Sequence, residues 1–209
     1  MNRLPGPAKL VLCLCSLPAF GQVIEFESNG LKYQTLSRSG ITVMFAHLPT
    51  RLHDYASIQV AVSNGSKGPY TIKPEDFTYE VEGTAGIRAA AANTIINMLM
   101  QKGSGADVVK LITAYEAGLY GNPRFKSNNG YESRRQAAIA WNSTKLRAAA
   151  AASALALAPV KLAPSESTDG AVFFGTEGKP LAGGRLVVRT NTDTFQFNPE
   201  PPAGRPGSW

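Results

Sequence analysis

The side chains able to do chemistry are sparse and poorly spaced for it. His47 and His53 lie six positions apart with Pro49 between them, so they share neither a strand face nor a helix face. Asp54 beside His53 does not complete a ligand set, and no metal centre is expected. Carboxylates pair at Glu75-Asp76, in a turn, and at Glu80 and Glu82, on the wet face of an alternating stretch. Glycoside hydrolysis needs two carboxyls facing each other across a cleft, which neighbouring surface carboxylates do not provide. No serine sits in a nucleophile elbow, and no phosphate-cradling or dinucleotide fingerprint occurs, so no cofactor is expected. Asn64-Gly65-Ser66 and Asn142-Ser143-Thr144 match the glycosylation sequon, but Asn64 is better read as a turn residue.

Charge is the one feature above background. Residues 86–158 carry nine cations (Arg88, Lys102, Lys110, Arg124, Lys126, Arg134, Arg135, Lys145, Arg147) against Asp107, Glu116 and Glu132. That stretch therefore holds the excess of a chain whose net charge is +6. Arg124, Lys126, Arg134 and Arg135 cluster with Phe125 and Tyr131 among them, and are the candidate binding residues. Such a surface fits another protein or an anionic envelope surface; nucleic acid is not an expected partner of an exported chain. The rival reading is a hydrolase of extracellular polymer, with Tyr115, Glu116, Glu132 and Arg134 in a cleft between helices and sheet. A third is an envelope or appendage subunit that assembles through an edge strand.

The elements that must hold these residues fall into three blocks. Residues 22–85 read as strands. Ile58, Val60 and Val62 alternate with polar or small neighbours, as do Phe77, Tyr79 and Val81. The nearly unbroken apolar run Ile41 to Leu48 fits a strand covered on both faces. Residues 86–158 read as about three helices. The first carries Ile87, Ala91, Ile95 and Met98 and stops at Gly103. Ser104 and Asp107 form a capping box for the second, and Gly121-Asn122-Pro123 breaks it. The third runs from about Tyr131 to Leu157, its alanines suited to close packing and Trp141 anchoring it on the sheet. Residues 159–198 return to strands, with Phe173, Phe174, Leu186, Val188, Phe195 and Phe197 as core candidates. Residues 199–209 form a flexible Pro- and Gly-rich tail.

The first 21 residues read as a secretory signal. Arg3 and Lys9 precede an apolar run over residues 10–20, and Ala19 and Gly21 are small residues placed for cleavage after Gly21. That run is shorter than the about 20 residues a membrane span needs. Cys13 and Cys15 lie inside it, preceded by Leu12 and Leu14 where a lipoprotein signal has small residues. The mature chain is thus expected to be secreted or periplasmic, without cysteine or disulfide, and held together by its core alone.

Two stretches carry a resemblance. Ile58 to Phe77 (IQVAVSNGSKGPYTIKPEDF) resembles the strand, turn and Pro-x-Asp/Glu-Phe step of exported bacterial immunoglobulin-like domains. Leu162 to Phe174 (LAPSESTDGAVFF) resembles a second step of the same domains, and Leu186-Val187-Val188 and Phe195-Gln196-Phe197 resemble their closing strands. The likeness covers about half of the mature chain and leaves the helical stretch outside it. It implies a mainly β fold, an immunoglobulin-like β-sandwich lacking the antibody disulfide and interrupted by a helical insertion. It implies no activity, because function lives in sites and not in folds.

Overall fold

A computed structural model describes residues 21–121 and 129–200. The candidate signal, apart from Gly21, lies outside the described residues, as do Arg124, Lys126 and residues 201–209.

The chain is mainly β with a helical insertion. Its strands in order are β1 (Ile24–Ser28), β2 (Leu31–Arg38), β3 (Ile41–Leu52), β4 (Tyr55–Asn64), β5 (Tyr70–Ile72), β6 (Phe77–Val81) and β7 (Ile87–Ala90). Four helices follow: α1 (Ala92–Lys102), α2 (Gly105–Tyr120), α3 (Tyr131–Ile139) and α4 (Thr144–Leu155). Then come β8 (Val160–Leu162), β9 (Ser167–Gly175), β10 (Gly184–Arg189) and β11 (Thr194–Gln196).

Nine strands join one curled antiparallel sheet in the order β1-β2-β3-β4-β9-β7-β6-β10-β11, and β5 pairs with β8 in a small ribbon. The ladders therefore trace one sheet where the sequence suggested the two sheets of a sandwich. The joint is β7, which bonds to β9 on one side and β6 on the other. Helical spacing placed Ile87 in a helix, but its short run is captured as a strand by the free edges of β6 and β9.

The sheet curls around one apolar interior. Val43, Phe45, Ile58, Val60, Val62, Phe77, Tyr79, Val172, Phe174, Leu186, Val188 and Phe195 all point into it. Cross-strand pairs keep it in register, among them Val43 with Val62, Phe45 with Val60 and Ile58 with Val172. The two ends of the sheet are tied across the curl. Phe197 meets Phe45 edge-on at 4.9 Å, and Gln34 of β2 exchanges two hydrogen bonds with the Asn198 backbone (3.0 and 3.3 Å).

The other face of β3, β4 and β9 lies under the helices. That explains the continuous apolar run of β3, where Val43 and Phe45 face inward while Met44 and Ala46 face outward. Helix α2 begins at the expected capping box: Ser104 Oγ accepts from the Asp107 amide and Asp107 Oδ2 accepts from the Ser104 amide at 2.8 Å. Gly103 and Gly121 cap α1 and α2 at their C-terminal ends as the sequence suggested.

The single third helix expected over residues 131–157 is two. Ser143 caps α4, and the Arg147 guanidinium donates to the Trp141 carbonyl at 3.0 and 2.9 Å, closing the turn between α3 and α4. Trp141 is half exposed on that turn and does not anchor a helix on the sheet. Helix α4 touches α1, α2 and α3, and Ala148, Ala149, Ala151, Ala152 and Ala154 are all buried. Small side chains are what a helix enclosed on most sides can carry.

After α4 the chain crosses back toward the interior beside β9. A side chain at Gly170 would lie 2.5 Å from the Leu157 Cα, so only glycine lets the chain pass there. Asn64 then fastens the far end. Its amide donates to the Gly68 and Leu162 carbonyls and its oxygen accepts from Ser66, joining the β4–β5 and β8–β9 connections. Asn64 is fully buried, which leaves no room for a glycan.

Candidate functional site

The rival catalytic residues converge where α2 and α3 meet β9. Helix α2 reaches the sheet closely because Gly118 has no side chain: a Cβ there would sit 2.3 Å from the Gln59 side-chain oxygen. This approach sets Tyr115 above the outer face of β9. Its hydroxyl donates to Asp169 Oδ2, and Asn129 Nδ2 donates to Asp169 Oδ1 and to its carbonyl (2.9 and 2.8 Å). Asn129 Oδ1 in turn accepts from the Tyr131 amide at 2.9 Å, which starts α3.

Around that centre lies a partly wet rim. The Tyr115 and Tyr131 rings pack 4.8 Å apart, and the Tyr131 hydroxyl donates to Glu116 Oε1 at 3.1 Å. Arg135 pairs with the same Glu116 oxygen at 2.6 Å. The Tyr120 hydroxyl donates to Glu132 at 3.3 Å. Arg134 donates from Nε and Nη2 to the Ala154 carbonyl (3.2 and 3.0 Å) and from Nη1 to the Asn129 carbonyl. A cation on the last carbonyls of α4 also suits the negative end of that helix.

The structure thus brings Tyr115, Glu116, Glu132 and Arg134 together, but each is engaged by the protein itself. Burial, and then the Asp169 charge, push the Tyr115 hydroxyl well above the ordinary tyrosine range; burial and Glu116 do the same for Tyr131. Both are held protonated as hydrogen-bond donors, which is the opposite of an activated nucleophile. Asp169 is 3% exposed and both its oxygens are occupied. Chemically the cluster is a polar tie that seats α2 and α3 on the sheet.

Of the candidate binding cations, Arg134 and Arg135 are neighbours on α3 with the internal partners just described, while Arg124 and Lys126 lie outside the described residues. The two histidines go to separate carboxylates. His47 Nε2 lies 2.8 Å from Glu200, and His53 Nε2 lies 3.2 Å from Asp107. Glu200 belongs to the stretch expected as a flexible tail, yet its amide donates to the Gly184 carbonyl at 2.7 Å. Hydrogen bonds from Ser104 and the nearby His53 outweigh the burial of Asp107 and hold its carboxyl below the usual range. Asp76 is buried and accepts from the Lys73 amide at 3.0 Å, so it is a turn-former and not a surface carboxylate. Glu80 meets Arg189 at 2.6 Å and Arg185 at 3.2 Å.

Sequence reasoning missed Asp169 and Asn129. For Asp169 the available signal was a lone carboxylate flanking an apolar strand. It also missed the exposed apolar pair at the α3–α4 turn, Ile139 and Trp141, which are 44% and 51% exposed. Elsewhere on the helical layer, Lys110 on α2 and Lys145 at the start of α4 are exposed and, among the described residues, have no ion-pair partner. Among the described residues no helix is long and apolar enough to cross a membrane. No family model, curated protein or solved structure matches this chain.

Proposed function

We propose that this chain is an exported, non-enzymatic module whose helical layer contacts an anionic envelope surface. The observation that carries it is the exposure of Trp141 and Ile139 on a layer whose Lys110 and Lys145 have, among the described residues, no ion-pair partner. Asp107, Glu116 and Glu132 of that layer all have partners within the protein, whereas Lys110 and Lys145 face solvent. An exposed aromatic side chain on a layer that also carries exposed lysines suits a boundary between water and an apolar or anionic phase. Arg124 and Lys126 belong to the same stretch of sequence and add to its charge. Export rests on the apolar run of residues 10–20 behind Arg3 and Lys9.

Co-sedimentation with vesicles tests the reading. Phosphatidylglycerol vesicles should retain the protein at low salt and phosphatidylcholine vesicles should not. Binding should weaken about tenfold when salt rises to 0.5 M, where the screening length shortens to a few ångströms. Lys110→Gln with Lys145→Gln and Trp141→Ala should weaken it further. Equal retention by both lipids, or none by either, would refute the proposal.

A further inference from the structure

We propose that the outer edge of β1 is a second docking site, which takes an extended segment of another protein in which basic residues alternate with apolar ones. This surface is distinct from the helical layer.

Strand β1 ends the sheet. It pairs with β2 over Ile24 to Ser28, and among the described residues no strand bonds to its other edge. An end strand leaves a row of backbone donors and acceptors open to any extended chain. Proteins usually blunt such an edge with charged side chains, proline, a bulge or a very short strand. At the opposite end β11 is blunted in this way, with three residues. Strand β1 has five residues, an unbroken register with β2 and no proline, and its two charges, Glu25 and Glu27, are both negative, so they repel a like edge and favour a basic one.

Its side chains define what would fit. Ile24 and Phe26 lie on one face, 61% and 37% exposed, and Phe26 stacks on Tyr33 at 5.0 Å with the rings within 5° of parallel. Glu25 and Glu27 lie on the other face, where a groove of about 570 Å³ opens between them and Lys32, Gln34, His47 and Glu200. That groove holds three carboxylates against one lysine; Glu200 is met by His47 at 2.8 Å, and Glu25 accepts from Asn198 Nδ2 at 2.7 Å. Strand β2 already shows the complement that β1 accepts: Lys32 stands opposite Glu27 and Tyr33 opposite Phe26.

Charge argues against a second copy of this chain as the occupant. Every antiparallel register that overlaps β1 on itself by three or more residues, with like faces matched, sets two glutamates opposite each other. Like charges in that position are destabilising. A partner with Lys or Arg facing Glu25 and Glu27, and an aromatic or β-branched residue facing Phe26, reverses the sign while completing the backbone bonds.

The probe is an acetylated, amidated peptide of the β2 sequence, LKYQTLSR, titrated into the full chain and followed by calorimetry and amide hydrogen exchange. The expected result is saturable binding that slows exchange across β1. Glu25→Lys with Glu27→Lys should weaken it about tenfold or more, and Glu27→Lys alone, which leaves the Glu25–Asn198 hydrogen bond in place, should weaken it without lowering the melting temperature. The same peptide with glutamate in place of its lysine and arginine should not bind. Glu25→Lys alone should promote a dimer, because each new lysine meets Glu27 of the second copy. Binding that ignores both charge changes would overturn the proposal. So would a wild-type dimer that shields β1, or binding that appears only after residues 201–209 are removed, which would make the chain's own terminus the occupant. Lipid binding by the helical layer is a separate readout, so either surface can fail alone.

Discussion

Strands β3, β4 and β9 each have one face in the curled interior and one under the helices, and the two faces differ in chemistry. The inner face is mostly valine, isoleucine and phenylalanine, with His47, Ala56, Asn64, Thr168 and Gly170 among them. The outer face carries more small and polar residues, Ala46, Ser57, Gln59, Ala61, Asp169 and Ala171, alongside Met44 and Phe173. Apolar packing is strong but tolerates sliding, whereas a buried polar group is costly unless one particular partner meets it. The interior therefore supplies most of the sheet's stability. The outer face decides where the helices sit, through Tyr115, Asn129 and Asp169.

The largest effect should come from the interior. Phe174→Ala deletes a fully buried ring and should cost about 4 kcal/mol in chemical denaturation, with sheet and helices lost together. Asp169→Ala attacks the outer face and should cost about 3 kcal/mol, because Tyr115 and Asn129 lose a shared acceptor. If the two faces divide the work as described, Asp169→Ala should also speed hydrogen exchange in α3 while β3 and β4 stay protected. Uniform loosening would break the comparison. Tyr115→Phe keeps the ring but not the donor and should cost about 2 kcal/mol with the same regional pattern.

Ser104→Ala should cost about 1 kcal/mol, a capping effect confined to the start of α2. The pH dependence sharpens the contrast further. Asp107 has a folded pKa below its ordinary value of 3.8, so its contribution is present above that value and is lost as pH falls through the lower one. Acid should therefore loosen the start of α2. Tyr115 has a folded pKa above its ordinary value of 10.0, so its contribution holds below pH 10.0 and is lost as pH rises beyond it. Alkali should release the helices at that tie, and Tyr115→Phe should flatten the alkaline limb. The interior Tyr79, pushed up to about 12 by burial and Glu200, predicts loss of the sheet's own stability in the same alkaline range.

Much of the fold could be read from local pattern. Alternation located β4 and β6, and the capping box at Ser104 and Asp107 located the start of α2. The strand β7 was hidden because Ile87-Arg88-Ala89-Ala90 is too short for its period to separate strand from helix. The break between α3 and α4 had a signal in Asn142-Ser143-Thr144, which was outweighed by the helix propensity of the alanines after it. Of the candidate site, Tyr115, Glu116, Glu132 and Arg134 were correctly grouped, and their roles were not, because a role depends on the partner each side chain finds.

Local pattern thus determined which stretches become strands and helices, where the helical insertion falls, and that positive charge gathers on it. Those properties depend on neighbours within a few residues, where the period of burial and the chemistry of caps and turns are written directly. Tertiary structure alone decided that the strands form one curled sheet, that Asp169 receives Tyr115 and Asn129 from afar, that Trp141 faces solvent, and that β1 is left as an open edge. Each of these joins or separates residues distant in sequence, and the choice is settled by which buried polar groups find partners and which surfaces remain uncovered when the whole chain has packed.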